Sequence, residues 1–442
     1  MSSGTEQPSG IRAALRAPGF ARLLVGQTVS SLGDWVATLA FIVAAFLLTG
    51  SQTAVAVVLI LRLVPPIFAA PVGGVVADRF PRRTIMVTCD LLRAGLIVLV
   101  PFVGIVPLYA IAFVHECISL FFLPARDSAV PSLVPQASLP EANGLILASS
   151  YGALPLAAAG FALLSSAASN VPDWLPFADQ LRSHPTSFAF FFDAATFLFS
   201  ALMIAGLPIR ERAQRQPIEL FRDVAEGFRY GYRNPGLRSL AYALVVSMFG
   251  GGVLFALGIA YIRDTLGGTT TDFGWLAALW GAGMGLGLLV VRLVAKRGQG
   301  PVFLVAVVGC GAVLVVMGLL PFLWLAFVAA VAFGTTFAVA IMLALAMAQE
   351  MTEDSIRGRI MGVVQMLFRV GLGLGALGIG ALASSIQDIT IGIGRASITL
   401  DGNQVGLVVG GMLILLGAVA SVGAARAAPS PTADGGLTQR DQ

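Results

Sequence analysis

Ionisable side chains stand inside long apolar stretches of this sequence: Asp34, Arg62, His115, Glu116, Asp193 and Arg369. A charge surrounded by hydrocarbon is costly, so such residues are kept for work or for pairing. Carboxyl and imidazole groups exchange protons, whereas a guanidinium stays charged. Asp34 and Glu116 are two acids facing one fixed base, Arg62. If all three line one cavity, one carboxylate lacks a cationic partner and is free to take a proton. The expectation is that Asp34 or Glu116 holds that proton and Arg62 tunes it. A permanent ion pair that fixes helix packing is the alternative. His115 can share the proton or simply hydrogen-bond between helices. Asp193, towards the outer end of its stretch, is expected to cap or solvate a helix, or to face a gate. Arg126 falls at a stretch end, as a gate or an anchor. Arg369 has no acid partner within the spans of its own half, so it pairs across the cavity with Asp34 or Glu116 or attracts an anionic group on a cargo.

The elements that must position these groups follow from composition. Of the 442 residues, 57% are hydrophobic and 11% charged, against about 25% charged in soluble domains. A lipid bilayer solvates helices that are apolar all round, whereas water does not. A span needs about 20 apolar residues, which places spans near 21–48, 53–76, 84–104, 107–124, 142–168 and 187–208. A second set lies near 238–262, 272–294, 301–320, 322–348, 358–384 and 405–425. The fold class read from this is an all-α membrane protein of about twelve spanning helices in two related bundles. The expected domains are 1–208 and 238–426, joined by a cytoplasmic amphipathic segment 209–237, with a disordered tail 427–442.

Charge sets orientation. The formal net charge is +4, and Lys296 is the only lysine. About twenty of the 27 basic residues fall in loops on one side, which makes that side, both termini included, cytoplasmic. The arginines cluster at span ends, which speaks against a nucleic-acid surface. Cys89, Cys117 and Cys310 lie in apolar runs without metal-ligand spacing and read as buried free thiols. The first apolar stretch is too long for a signal-peptide core, so no cleaved leader is expected.

After the second span comes Gly74-Val75-Val76-Ala77-Asp78-Arg79-Phe80-Pro81-Arg82-Arg83. Gly74 permits close helix approach, Asp78 suits a helix N-terminus, and Arg79, Arg82 and Arg83 hold the cytoplasmic side. Asp90 and Arg93 follow at i, i+3 spacing. This segment resembles the loop motif of the major facilitator superfamily, with Pro81 where the usual pattern has Gly. Gln27 through Asp34, Pro124-Ala125-Arg126, Val134-Pro135, Asn143 and Arg357-Gly358-Arg359 are similar to the proton-coupled exporter subgroup that includes macrolide efflux pumps and the enterobactin exporter. The resemblance implies a conformational latch of Gly74, Asp78, Arg79, Arg82, Arg83, Asp90 and Arg93. Two departures stand out. Lys296 replaces the acid in the second-half copy of the motif, and Leu154 precedes Pro155 where exporters carry Gly-Pro.

The function this implies is secondary active transport: proton-coupled export of amphipathic small molecules, drugs or a siderophore, by alternating access in a bacterial inner membrane. Lipid-like cargo such as a lysophospholipid, or a non-transporting receptor, are the alternatives. Aromatic residues on the spans, Phe255, Trp280 and Phe337 among them, are available to line a cavity. Neither a Gly-Lys-Ser/Thr phosphate loop nor a His-Glu-x-x-His zinc motif occurs, so no enzyme activity, cofactor or metal is expected. The expected partners are small-molecule cargo, protons and lipid, the protein acting as a monomer.

Overall fold

The structure is a computed structural model that describes residues 10–63, 65, 80–172, 184–209, 220–294, 298–353, 356–386, 388–393 and 396–427. In chain order the helices are α1 (Ile11–Arg16), α2 (Pro18–Thr49), α3 (Gln52–Leu63), α4 (Arg82–Ile97), α5 (Ile105–Ala129), α6 (Leu139–Gly152), α7 (Leu154–Ser169) and α8 (Ser187–Ala205). Then come α9 (Leu220–Arg233), α10 (Pro235–Ala260), α11 (Thr270–Val294), α12 (Gln299–Leu319), α13 (Leu323–Glu350) and α14 (Arg357–Ser385). A hairpin of β1 (Ile389–Ile393) and β2 (Ala396–Leu400) precedes α15 (Gly402–Ala427).

Eleven helical stretches among the described residues are long and apolar enough to cross a membrane. The second predicted span contributes α3, a shorter apolar helix, and residues 66–79 lie outside the described residues. Lipid asks nothing of these helices between their ends, so the polar signals gather at the ends. Pro18 opens α2, and Gly50, at φ 64°, closes it with its N–H donating to the Phe46 carbonyl at 2.7 Å. Reciprocal side-chain caps start two helices. The Asp272 amide donates to Thr269 Oγ1 at 3.2 Å while Asp272 Oδ2 accepts from the Thr269 amide at 2.7 Å. Asp401 and Gln404 make the same exchange ahead of α15.

The structure departs from the sequence reading in two places. The predicted span 142–168 is two helices, α6 and α7, that meet at Ala153. Pro155 sits in the first turn of α7, where its missing N–H costs nothing. The polar segment before the last span holds the antiparallel hairpin, which pairs Ile389 with Leu400 and Ile393 with Ala396. Apolar residues alternate with Thr, Gly and Ser along both strands, a period-two signal present in the sequence.

The chain forms two compact units. One comprises Met1–Ile218 with Gly258–Ala278; the other comprises Glu219–Leu257 with Leu279–Gln442. In the first, Phe20, Leu23, Met86, Phe122, Ile146 and Ile204 pack as an apolar core. In the second, α12 lies against α15 through Gly311 and Gly411; a Cβ on either would come 2.7 Å from the other's carbonyl oxygen. Such small-residue contacts let helix backbones touch where lipid gives no hydrophobic drive. Within this unit the amphipathic α9 packs against α14.

Candidate functional site

The first unit gathers charge at one place, and the helices do so through a missing side chain. Asp193 on α8 has no exposed surface. It fits because α2 presents Gly33 there: a Cβ at Gly33 would collide with the Asp193 carboxylate and with Thr196 Oγ1. Glycine is therefore required at this helix crossing. One residue further on, α2 carries Asp34. α5 brings His115, which is 1% exposed. A carboxylate oxygen of Asp34, a ring nitrogen of His115 and a carboxylate oxygen of Asp193 all lie within 4.8 Å of one another.

Two arginines flank this trio. Arg93 on α4 holds the buried Asp90 one turn earlier. Its guanidinium lies 4.3 Å from the Phe197 ring centroid and 4.6 Å from that of Phe122. Arg62 on α3 has Nη2 3.9 Å from Glu116 Oε2, and its guanidinium stands 5.1 Å from the Phe41 ring centroid. Both guanidiniums lie within electrostatic reach of Asp34, His115 and Asp193. Stacking on aromatic faces steadies a guanidinium where water is absent.

The hydrogen bonding is incomplete in a telling way. Thr196 Oγ1 donates to the Asp193 carbonyl at 2.7 Å and stands 3.3 Å from Asp193 Oδ1. Asp193 Oδ2, both ring nitrogens of His115 and Arg62 Nη1 are buried without a hydrogen-bond partner among the described residues. Buried polar atoms are normally satisfied, so unsatisfied ones at one place mark a position for something the protein binds.

The sequence-predicted residues fare unequally. Asp34, Arg62, His115 and Glu116 do come together. The reading of Asp193 as a helix cap or solvating group is corrected: it is sealed into the cluster, fully buried. Asp90 and Arg93, which the resemblance places in the latch, are buried within electrostatic reach of Asp34. Of the other latch residues, Gly74, Asp78 and Arg79 lie outside the described residues. Arg82 is nearly buried and donates to the Ser128 carbonyl at 2.7 Å, while Arg83 is exposed. Arg126 donates to the Oε1 of buried Gln27 at 3.1 Å and pairs with Asp127 at 2.8 Å. Arg369, on α14, is partly buried, and no ion pair among the described residues includes it. Lys296 lies outside the described residues.

The second unit has no comparable charge cluster among the described residues. It has aromatics instead. Trp280 stands edge-on to Phe255, with centroids 5.5 Å apart, and 6.1 Å from Phe337, which stacks on Phe333 at 5.9 Å. The Trp280 indole N–H is buried without an acceptor among the described residues. A cavity of about 30 Å³ opens between Phe303, Phe333, Phe337, Met248 and Ile414.

Helices of this number and length, with a charge cluster inside one unit, fit a membrane carrier. Residues 23–376 match the family described as Major Facilitator Superfamily. The chain belongs to that superfamily. It is a multi-pass membrane transporter by that membership, and its fold is the superfamily's two-bundle fold. It is 28% identical over 292 residues to the uncharacterized MFS-type transporter YfiS of Bacillus subtilis (strain 168), covering 63% of this chain and 64% of that one. It is 27% identical over 341 residues to the uncharacterized MFS-type transporter YkuC of the same organism, covering 71% and 74%. Among solved structures, the nucleoside transporter NupG superposes with a TM-score of 0.70 at 13% identity, over 91% of this chain and 98% of that one. A bacterial homologue of the human lysosomal transporter Spinster, inward-facing and unoccupied, does so with a TM-score of 0.70 at 15% identity, over 94% and 99%. At those identities the likeness is one of fold.

Proposed function

We propose that this superfamily member is a proton-coupled exporter of amphipathic small molecules that works by alternating access in the bacterial inner membrane, with both termini in the cytoplasm. The observation that carries the reading is the charge balance inside the first unit. Arg93 is matched by Asp90 and Arg62 by Glu116, so among the described residues Asp34 and Asp193 are left without a cationic partner of their own. A carboxylate pair in that position exchanges protons as its exposure changes. Asp34, the partly exposed member, carries the coupling proton in this reading. Glu116, already facing Arg62, serves as the counter-charge.

The cargo reading rests on the second unit. Phe255, Trp280 and Phe337 give flat apolar surface, and the free indole N–H gives one donor, which together suit a molecule with an apolar body and a polar acceptor. A lipid-like cargo has its own support. A crevice of about 380 Å³ among Val290, Val294, Val302, Val305 and Val339 lies between α11, α12 and α13, and Val305 beside it is 71% exposed. Such a side opening would suit entry from the membrane.

The test is efflux of a fluorescent amphipathic dye from cells producing the protein, with and without a protonophore, beside Asp34→Asn and Glu116→Gln. Efflux lost with the protonophore and in Asp34→Asn, and retained at reduced rate in Glu116→Gln, is the expected result. Protonophore-sensitive efflux that survives Asp34→Asn would overturn the assignment of the proton to Asp34. Vesicle assays in which a lysophospholipid outcompetes the dye would favour the lipid reading.

A further inference from the structure

The buried trio on α2, α5 and α8 has a chemistry that proton exchange does not use up. Asp34, His115 and Asp193 offer two carboxylate oxygens and one ring nitrogen within 4.8 Å of one another. His115 and Asp193 are at least 99% buried. Asp193 Oδ2 and both His115 nitrogens have no hydrogen-bond partner among the described residues. From this geometry we infer that the trio forms a binding site for a divalent transition-metal cation.

Charge, ligand type and access each support the class. The nearby arginines are matched by Asp90 and Glu116, so the trio retains two negative charges when ionised, which one divalent cation cancels. A single alkali ion leaves one charge standing. A ring nitrogen among the ligands favours zinc-like or cobalt-like ions over magnesium and calcium, which prefer oxygen ligands throughout. A tetrahedral ion with bonds of about 2.1 Å holds its ligand atoms about 3.4 Å apart. Closing from at most 4.8 Å is a matter of side-chain rotation. Gly33 leaves α8 close enough to α2 for Asp193 to reach the shared point. Asp34, the partly exposed member, gives the ion a way in and leaves a coordination position facing it.

The site would make such a cation a competitor of protons, since its ligands bind metal only in their deprotonated forms. The inference does not rest on the coupling reading. A transporter driven by another gradient would hold the same three ligands, and binding is measured at equilibrium without cargo.

The experiment is titration of the purified full chain in nanodiscs with Co²⁺, followed by its visible absorption, using an affinity tag free of histidine. Expected is one saturable equivalent with the intense bands of a four-coordinate ion. Apparent affinity should fall at least tenfold in Asp193→Asn and in His115→Gln, and stay unchanged in His184→Ala and Cys117→Ser. Thermal unfolding of each variant separates loss of ligand from loss of fold, and Asp34→Asn supplies a third ligand variant if either of the others fails to fold. No saturable binding by the wild type would overturn the inference, as would binding that survives the loss of Asp193 and of His115. Dye efflux that responds to a protonophore, measured in parallel, decides the coupling reading separately.

Discussion

In the first unit Arg93 lies between Phe122 and Phe197 and holds Asp90, with a second guanidinium, two further acids and a histidine around it. In the second, α12 and α15 meet at Gly311 and Gly411, and α10 meets α14 at Gly252, where a Cβ would come 2.5 Å from the Leu372 carbonyl. Both are interiors of apolar helices. The first adds ions to the small-residue contact at Gly33, whereas these contacts in the second rest on the removal of side chains alone. The ionic interior is specific in direction, because each charge needs its own partner, and it can change state when a proton or ion arrives. The glycine interior is close-packed and has no such response. In the proposed function, energy coupling falls to the first unit and the shaping of the cargo surface to the second.

The comparison breaks most readily at Arg93. Arg93→Met leaves Asp90 buried alone, and loss of one partner of a buried pair costs about 3–5 kcal/mol. The thermal midpoint of the detergent-solubilised protein should drop sharply, and Asp90→Leu combined with Arg93→Met should recover most of the loss. If the double variant is as damaged as the single one, the pair is not the unit of stability. Gly252→Leu comes next. Overpacking against the α14 backbone should cost on the order of 3 kcal/mol, read as the same midpoint shift. A Gly252→Leu protein that unfolds like the wild type would show that the second unit does not depend on backbone approach.

Function should separate the two units further. Asp193→Asn replaces a buried carboxyl that has no cationic partner of its own among the described residues, so stability should hold or rise while dye efflux falls about tenfold or more, equivalent to about 1.4 kcal/mol. A parallel fall in stability and efflux would make Asp193 a packing residue. Trp280→Phe keeps one aromatic ring, deletes the N–H and trims the apolar surface. The half-saturating dye concentration should rise about fivefold, in line with a hydrogen bond of about 1 kcal/mol, with maximal efflux unchanged. The smallest effect is expected outside both interiors. Thr399→Val removes the hydroxyl that faces Thr390 across the hairpin at 3.2 Å, and the midpoint should move by no more than about 0.5 kcal/mol equivalent.

Span number, and the gathering of Asp34, Arg62, His115 and Glu116, were legible in the sequence. Hydropathy reports depth directly, and these four residues sit where no lipid-facing position would tolerate them. The burial of Asp193 is not legible in the sequence, because position along a span gives depth but not direction. What turns it inward is Gly33 on another helix, 160 residues earlier, and no window along the chain contains both. The i, i+3 spacing of Asp90 and Arg93 gives their pairing, but their nearness to Asp34 depends on how α4 packs against other helices, which spacing does not carry. The hairpin's alternation of apolar with small or polar residues is short beside the apolar runs that flank it. Pro155 marks the break at Ala153, since proline favours the first turn of a helix.

Gly33 also constrains how this sequence can change over generations. While Asp193 and Thr196 occupy the space beside it, every larger residue at position 33 is barred. Shrinking position 193 to alanine alone would not lift the barrier, because Thr196 Oγ1 stands nearer still to a Cβ at position 33. Position 33 becomes free to drift only once both neighbours have shrunk. Any chain that keeps either the aspartate at 193 or the threonine at 196 should therefore keep a glycine at 33.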